Sequence, residues 1–252
     1  MMASMGKRNR MHRLFREDDK VFIVAMDHGA YGIIDGLEDM GGIIRMVSEV
    51  GVDAVMANIG IIKNYAADLA GRIALVATTE YDENSILEAL KADAVAVKTT
   101  YLGVVPPAEV AKERIRRVAL KCDELGIPYM AECLPMDLDG NPVFELDIVK
   151  KAARILAELG ADIVKTVYTG SCETFKKVVE ACPVPIVIAG GPKIEDDEGL
   201  IRMVKESIDS GARGVAIGRN VWQHRAAKRV AMAIKGVIHE NMGVEEALEI
   251  IG

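Results

Sequence analysis

The chain has 252 residues, half of them hydrophobic and few of them aromatic, so we expect a large aliphatic core. Its formal net charge of −7 argues against a general affinity for nucleic acid or an anionic membrane. An anionic substrate would therefore need a local positive site. No signal peptide or membrane-spanning run is recognisable, which predicts a cytoplasmic protein. The four cysteines lack CxxC spacing, which favours free thiols over a zinc site, and no motif points to another cofactor.

Residues 1–20 form a basic extension, which we expect to be solvated or packed on a neighbouring subunit. Residues 21–26 are a continuous apolar run followed by Asp27, His28 and Gly29, a pattern typical of a buried parallel strand and its exit loop. A phrase then recurs as Gly51-Val-Asp-Ala-Val, Lys91-Ala-Asp-Ala-Val, Gly160-Ala-Asp-Ile-Val and Gly211-Ala-Arg-Gly-Val. Each copy follows a helical stretch and opens a strand, which indicates stacked βα units.

Three further apolar runs complete a set of eight predicted strands, at residues 73–77, 128–133 and 184–189. Helical patterns separate most of the strands, at residues 37–50, 106–125, 145–159, 172–181, 195–210 and 225–239, and a last short helix is expected at 243–252. Alternating βα units predict an α/β protein with a single (β/α)8 TIM barrel over residues 21–252.

Alternate residues of the repeated strands form two sets with different chemistry. The mainly branched set suits the face that packs on the outer helices: Val55, Ala57, Val95, Val97, Val164, Thr166, Val215 and Ile217. The small or polar set suits the crowded barrel interior: Ala54, Met56, Asn58, Ala94, Ala96, Lys98, Ile163, Lys165, Gly214, Ala216 and Gly218. On this assignment Lys98 and Lys165 point inward, and Asp27 and Glu132 share the inward face of their own strands.

A lysine within an apolar strand, such as Lys165, must be compensated or lose its proton, and a neutral amine is what Schiff-base chemistry requires. The alternative is a lysine that extends from the strand end to water. We expect Lys98 and Lys165 to repel each other, which would lower the pKa of the more buried one. Asp27 or Glu132 would then shuttle protons during carbon–carbon cleavage, unless Asp27 pairs with a lysine only for burial. His28 has the opposite parity and is predicted to be a turn or supporting residue.

Two glycine-containing loops predict a phosphate site. Ala189-Gly-Gly-Pro-Lys193 follows the seventh strand, and Ile217-Gly-Arg-Asn220 follows the eighth. Backbone N–H groups at glycine turns approach anions closely, and an arginine adds a forked donor. Barrel enzymes often bind phosphate at these two loops. We therefore predict that Gly190, Gly191, Gly218 and Arg219 bind the phosphate of a phosphorylated substrate.

Several stretches together resemble the DeoC/FbaB aldolase superfamily, in particular archaeal-type class I fructose-bisphosphate aldolases and 2-amino-3,7-dideoxy-D-threo-hept-6-ulosonate synthases. These stretches are Met26-Asp-His-Gly29, Asp35-Gly-Leu-Glu38, Val164-Lys-Thr-Val-Tyr-Thr-Gly170, Ile188-Ala-Gly-Gly-Pro-Lys193 and Gly218-Arg-Asn-Val-Trp-Gln223. The resemblance implies a phosphorylated sugar substrate and a ring-based homo-oligomer. It also implies Lys165 as the Schiff-base lysine, Asp27 as a substrate-binding and proton-transfer residue, and phosphate contacts from the two glycine loops.

The chain departs from these aldolases after the fifth strand. Where they carry a catalytic tyrosine in a Tyr-Pro-Arg-Gly phrase, this chain has Leu134-Pro-Met-Asp137. Glu132, Tyr168, Tyr101 or a water molecule would have to replace the tyrosine. Lys98 is also unusual at its position. Two alternatives to an aldolase stay open: a thiolase-like acyl transferase on a phosphorylated ketone, and a non-catalytic barrel that binds phosphometabolites.

Overall fold

The computed structural model describes residues 4–32 and 34–252. Within these residues the strands form one closed parallel barrel in chain order, and β8 pairs with β1. The strands are β1 (Val21–Ala25), β2 (Ala54–Asn58), β3 (Ala74–Thr78), β4 (Ala96–Gly103), β5 (Tyr129–Pro135), β6 (Ile163–Thr166), β7 (Ile186–Ala189) and β8 (Gly214–Ile217). The predicted TIM barrel is confirmed.

Helices cover the outside of this barrel and follow most of its strands. They are α1 (Met5–Leu14), α2 (Met40–Val50), α3 (Ile59–Asn64), α4 (Ala66–Leu69), α5 (Glu83–Lys91), α6 (Glu109–Leu125), α7 (Leu146–Glu158), α8 (Cys172–Ala181), α9 (Asp197–Asp209), α10 (Arg219–Trp222), α11 (Ala227–His239) and α12 (Val244–Ile251), with a 3-10 helix at Asp27–Tyr31. The sequence analysis missed α5, although Asp82 marks its start by accepting hydrogen bonds from the N–H groups of Asn84 and Ser85.

The recurring phrase that opens the strands has a structural explanation. In two of its copies the aspartate accepts a hydrogen bond from the backbone of a neighbouring strand: Asp53 from Phe22 N at 2.6 Å, and Asp162 from Tyr129 N at 2.8 Å. Gly51, before Asp53, ends α2 with a φ of 74°, a left-handed conformation that favours glycine. In these copies the phrase follows the end of a helix and satisfies a strand N–H, whereas Asp93 pairs with Arg13.

The predicted alternation of inward and outward residues is confirmed for most strands. The interior cluster contains Ile23, Ala25, Ala54, Met56, Val76, Ala96, Met130, Ile163, Val187 and Ala216. Val55, Val97, Val164 and Val215 belong to the outer cluster, against the helices. The assignment is wrong at the start of β4, where Ala94 packs outward and Val95 inward. The regular strand begins only at Ala96, and Asp93 before it has a φ of 57°, so the alternation does not extend back to these residues.

The basic N-terminal extension is not solvated along its whole length. It forms α1, and Leu14 and Phe15 at its end are buried in the interior cluster with Val21. Lys7 is also buried, and its Nζ pairs with Asp123 and, at 2.8 Å, with Asp162. Lys7, Met11 and Leu14 lie on one face of this helix, and through them it covers the end of the barrel at which the strands begin.

We expect Leu14→Ala to lower the free energy of unfolding by about 2–5 kcal/mol, because Leu14 is fully buried and its truncation removes apolar contacts. Urea unfolding followed by circular dichroism measures this change. Leu138→Ala is the matched control, because Leu138 is 94% exposed and its truncation should change stability by less than about 0.5 kcal/mol. Equal stabilities for the two variants would contradict the packing of α1 against the barrel.

Candidate active site

The four titratable residues predicted to be catalytic meet inside the barrel, toward the carboxyl ends of the strands. Lys98 lies on β4, Glu132 on β5 and Lys165 on β6, while Asp27 begins the 3-10 helix that follows β1. The exposed fraction of their side chains ranges from 4% for Lys98 to 12% for Glu132. The fold thus gathers charged groups that lie far apart in the sequence into a nearly buried cluster.

Glu132 lies between the two lysines and contacts both. Its Oε1 is 2.5 Å from Lys165 Nζ, and its Oε2 is 2.9 Å from Lys98 Nζ. Lys98 Nζ also lies 2.8 Å from Asp27 Oδ2. The cluster is therefore a chain of ion pairs in the order Asp27, Lys98, Glu132, Lys165.

The expectation that repulsion lowers the pKa of the more buried lysine is wrong, because carboxylates compensate Lys98, which is the more buried of the two. Burial lowers the pKa of Lys98, but the negative charges of Glu132 and Asp27 outweigh burial, so its pKa lies above the ordinary value. Burial raises the pKa of Glu132, yet the charges of Lys165 and Lys98 bring it down to about 2. Burial likewise opposes ionisation of Asp27, and Lys98 and Lys165 still hold its pKa below the usual range. Both carboxylates are therefore ionised at neutral pH.

Hydroxyl and amide groups at the strand ends hold the two carboxylates in place. Thr78 Oγ1 donates to Asp27 Oδ2 at 2.7 Å, and Thr100 Oγ1 donates to Glu132 Oε2 at 2.8 Å. Asn58 Nδ2 donates to the backbone carbonyl of Asp27 at 2.7 Å. Asn58 was assigned to the inward face from the sequence, but neither threonine was recognised as a site residue. Both could have been found, because each occupies an inward-facing position near the end of its strand, β3 or β4.

The residues considered as substitutes for the missing tyrosine differ in position. Tyr101 donates its hydroxyl to the backbone carbonyl of Val104 at 2.9 Å. The Tyr168 hydroxyl lies 2.5 Å from Glu206 Oε2 on α9, and its ring packs edge-on against Phe175 of α8, among the outer helices. Of these candidates, Glu132 is the one whose side chain contacts Lys165.

The two glycine loops predicted to bind phosphate meet at the ends of β7 and β8. Arg219 Nη2 donates to the backbone carbonyl of Gly191 at 3.0 Å. Asn220 fixes the β7 loop from the other side: its Nδ2 donates to Gly190 O at 2.8 Å, and its Oδ1 accepts from Ile194 N at 2.7 Å. The sequence analysis assigned no role to Asn220, because a buried asparagine and a loop asparagine look alike in sequence.

Close packing requires glycine at two positions of these loops. A Cβ on Gly218 would lie 2.4 Å from the carbonyl oxygen of Ala25, and one on Gly190 would lie 2.9 Å from Ile217 Cγ2. Arg219 Nε is buried and has no hydrogen-bond partner among residues 4–32 and 34–252. This unsatisfied donor beside glycine turns suits an anionic ligand.

His28 lies beside the ion-pair chain, in the 3-10 turn that follows β1, which agrees with the predicted turn position. Its Nδ1 is 3.7 Å from Asp27 Oδ1, and its ring packs edge-on against Trp222 with 6.0 Å between ring centroids. Trp222 is itself fixed by the hydrogen bond from its Nε1 to Ala25 O at 2.9 Å. The imidazole is thus held between β1 and the loop after β8.

Neither a metal centre nor a membrane helix is evident in the described part of the chain. No group of three or more His, Cys, Asp or Glu residues there is placed to hold a metal ion. No helix within residues 4–32 and 34–252 is both long and apolar enough to cross a membrane. The cysteines are free thiols; Cys122, Cys133 and Cys182 are buried and Cys172 is half-buried.

Comparison with known proteins identifies the family. The model of the DeoC/LacD family aldolases matches residues 21–224, which include all the residues of the ion-pair chain and both glycine loops. The chain belongs to the DeoC/LacD aldolase family. It is therefore an enzyme of the aldolase type with the Schiff-base chemistry of class I, as the resemblance found in the sequence implied.

Full-length relatives of this DeoC/LacD aldolase are found among archaeal proteins. It is 32% identical to an uncharacterised aldolase of Saccharolobus solfataricus, over 98% of this chain and 99% of the relative. It is 34% identical to 2-amino-3,7-dideoxy-D-threo-hept-6-ulosonate synthase 1 of Archaeoglobus fulgidus, over 100% of this chain and 98% of the relative. The similarity thus extends along the whole of both proteins.

Solved structures of class I aldolases have the same architecture. A Schiff-base-forming fructose-1,6-bisphosphate aldolase superposes with a TM-score of 0.81 at 29% identity, over 92% of this chain and 100% of the other. An archaeal fructose-1,6-bisphosphate aldolase whose catalytic lysine carries a carbinolamine intermediate gives a TM-score of 0.81 at 28% identity, over 92% and 99%. Leu134, which stands where the sequence resemblance implied a tyrosine, is half-buried.

Proposed function

We propose that this enzyme is a class I aldolase that cleaves or forms a carbon–carbon bond in a phosphorylated ketose, with Lys165 as the Schiff-base residue. Fructose 1,6-bisphosphate and related deoxy-keto sugar phosphates are the substrate class. The observation that carries the proposal is the position of Lys165 Nζ, nearly buried within the barrel and 2.5 Å from a carboxylate oxygen of Glu132. The relatives named as synthases and bisphosphate aldolases support the same substrate class.

The neighbouring groups suggest how the Schiff base forms. Glu132 removes one proton from the Lys165 ammonium, and the neutral nitrogen attacks the ketone carbon. Glu132 gives this proton to the new alkoxide oxygen to form the carbinolamine. It then carries a second proton from the nitrogen to the same oxygen, which leaves as water and gives the iminium. Lys98 holds the carboxylates of Glu132 and Asp27 in fixed positions through its contacts of 2.9 and 2.8 Å. Asp27 contacts the substrate hydroxyls in this proposal.

The glycine loops provide the anchor for the substrate. β7 pairs with β6, which carries Lys165, and β8 pairs with β7. Gly190 and Gly191 therefore follow the adjacent strand, and Gly218 and Arg219 follow the strand after it. A phosphate held there by backbone N–H groups and by Arg219 would direct the ketone toward the amine. The ring-based homo-oligomer and the cytoplasmic location stay predictions.

Reductive trapping tests this proposal. Borohydride added with dihydroxyacetone phosphate should attach the three-carbon ketone irreversibly to Lys165, and peptide mass spectrometry identifies the modified residue. Dihydroxyacetone without phosphate is the matched ligand and should give much less adduct, because it lacks the anion. Failure of the wild-type enzyme to trap any phosphorylated ketone would exclude the proposal. An adduct on Lys98 would keep the reaction class but move the nucleophile.

A thiolase-like acyl transferase is the second candidate, and the leucine at position 134 favours it. Such a reaction also forms a lysine adduct with a phosphorylated ketone, but it does not need the family tyrosine. Coenzyme A-dependent cleavage, measured beside retro-aldol cleavage on the same ketones, separates the two reactions. Cleavage that requires coenzyme A would favour the transferase, and release of an aldehyde without it favours the aldolase.

A further inference from the structure

Breaking the carbon–carbon bond requires a proton acceptor that the ion-pair chain does not offer freely. In the proposed reaction the hydroxyl on C4 must lose its proton as the C3–C4 bond breaks. Both oxygens of Glu132 contact lysine nitrogens, and Asp27 Oδ2 accepts from Thr78 and contacts Lys98. Asp27 Oδ1 faces His28, and the lowered pKa of Asp27 makes this carboxylate a weak base. Leu134, at the family's tyrosine position, has no proton to exchange.

The imidazole of His28 forms no hydrogen bond with any residue that the structure describes. Its side chain is 32% exposed, so part of the ring reaches the mouth of the barrel. Its Nδ1, by contrast, is buried without a hydrogen-bond partner in residues 4–32 and 34–252, and it faces Asp27 Oδ1 at 3.7 Å. A small rotation would close that distance to a hydrogen bond. A proton on Nδ1 would then point at Asp27, and the lone pair on Nε2 would be the acceptor.

The space for this ring depends on the loop after β8. A Cβ on Gly218 would lie 3.2 Å from His28 Cε1, so the glycine leaves room for the imidazole as well as for an anion. The edge-on contact with Trp222 fixes the plane of the ring. His28 is therefore positioned by three residues, Asp27, Gly218 and Trp222, between the Asp27 carboxylate and the predicted phosphate loop.

The surroundings of His28 favour the neutral imidazole, chiefly because the ring is largely buried. Burial lowers its pKa, Asp27 and Glu132 raise it, and Arg219 and Lys165 lower it; the net result lies below the ordinary value. Because the ordinary pKa of histidine is about 6.5, the ring is mainly neutral at pH 7 and can accept a proton. The Asp27 carboxylate, whose pKa is also lowered, stays ionised to stabilise the imidazolium that forms.

We propose that His28 is the acid–base residue of the carbon–carbon bond step, in place of the tyrosine that this chain lacks. The inference rests on the proposed Schiff-base function. Nε2 takes the proton of the C4 hydroxyl, the C3–C4 bond breaks, and its electron pair moves into the iminium to give an enamine and an aldehyde. The imidazolium then gives the same proton to C3, and water hydrolyses the resulting iminium to release the ketone and Lys165. No external oxidant or reductant is needed.

Hydrogen exchange at C3 of the ketone substrate, measured without an aldehyde, tests the proposed role of His28. The enamine forms when the base removes a C3 proton of bound dihydroxyacetone phosphate, so exchange with deuterium oxide, followed by proton NMR, reports on that base. We expect His28→Asn and His28→Gln to lower the saturating exchange rate by about 10²–10⁴-fold, the usual contribution of a general base. Borohydride trapping on Lys165 should change by less than about threefold. His12→Asn is the control, because His12 is exposed on α1.

The pH dependence gives a second readout that a structural role would not change. Since the base must be neutral, wild-type exchange should fall as the pH drops through the lowered pKa of His28, and this limb should be absent from His28→Asn. The charged groups that face the ring are Asp27, Glu132, Lys165 and Arg219, and both variants retain all of them.

Each other result would overturn the assignment. Exchange at the wild-type rate in both variants would show that another group moves the proton. A large rise in the ketone concentration needed for half-maximal exchange, with an unchanged maximal rate, would make His28 a phosphate ligand. Loss of trapping and exchange together would make it a structural residue. Absence of trapping in the wild-type enzyme would remove the proposed function itself, which is a different failure.

Discussion

Lys165→Met should abolish Schiff-base trapping and lower carbon–carbon cleavage by about 10⁵-fold or more. Methionine fills a similar volume in the barrel but offers no amine, and loss of a covalent nucleophile commonly removes most of the catalysed rate. Borohydride trapping with dihydroxyacetone phosphate and an aldehyde-release assay measure the two effects. We expect the barrel to stay folded, because Glu132 keeps its contact with Lys98 in this variant. Circular dichroism checks this.

Lys98→Met is the matched comparison for that experiment, because it removes the other amine that contacts the same glutamate. We expect it to retain an adduct on Lys165, although cleavage slows because Asp27 and Glu132 lose the cation between them. Trapping that persists in Lys165→Met and disappears in Lys98→Met would contradict the choice of nucleophile.

Glu132→Gln should lower the rate of adduct formation on Lys165 by about 10²–10⁴-fold, with little change in the shape of the site. The amide keeps the size of the side chain but cannot accept a proton from Lys165 or return it to the carbinolamine oxygen. Rapid-quench borohydride trapping measures this step apart from bond cleavage. Cleavage cannot be faster than the adduct formation that precedes it.

Glu109→Gln makes the same chemical change on α6, where the side chain is 84% exposed, and should leave the rates unchanged. A Glu132→Gln enzyme that forms the adduct at the wild-type rate would show that the carboxylate acts only as a charge partner for the lysines. A variant that fails to fold would differ from both outcomes in its circular dichroism spectrum.

Strand periodicity was enough to predict which lysines enter the barrel. Inside a crowded barrel, small and polar residues must alternate with the branched residues that pack on helices, so the parity of Lys98 and Lys165 follows from their neighbours. The meeting of the two glycine loops could also be predicted, because they follow the last two strands of the barrel, and Arg219 contacts Gly191 in the structure. That these loops bind phosphate stays a prediction.

The contacts between strands could not be predicted from periodicity. Whether Glu132 contacts one lysine or both depends on the pairing of β5 with β4 and β6, where Glu132 pairs with Thr100 and Lys165. The sequence analysis therefore missed the compensation of Lys98 by two carboxylates and expected repulsion instead. The contacts of His28 were also unpredictable, because the chain forms a 3-10 helix after β1. The alternation of inward and outward residues does not hold in such a turn.

The packing of α1 on the barrel interior predicts how proteolysis would affect this protein. The segment between α1 and β1 is exposed at residues 16–19, so a protease could cut there without entering the folded core. Detachment of α1 would uncover the apolar layer that Leu14 and Phe15 cover, at the end of the strands remote from Lys165. We expect such a cleaved protein to form a Schiff base as before but to self-associate through this uncovered apolar layer. Its solubility would therefore fall before its catalytic activity does.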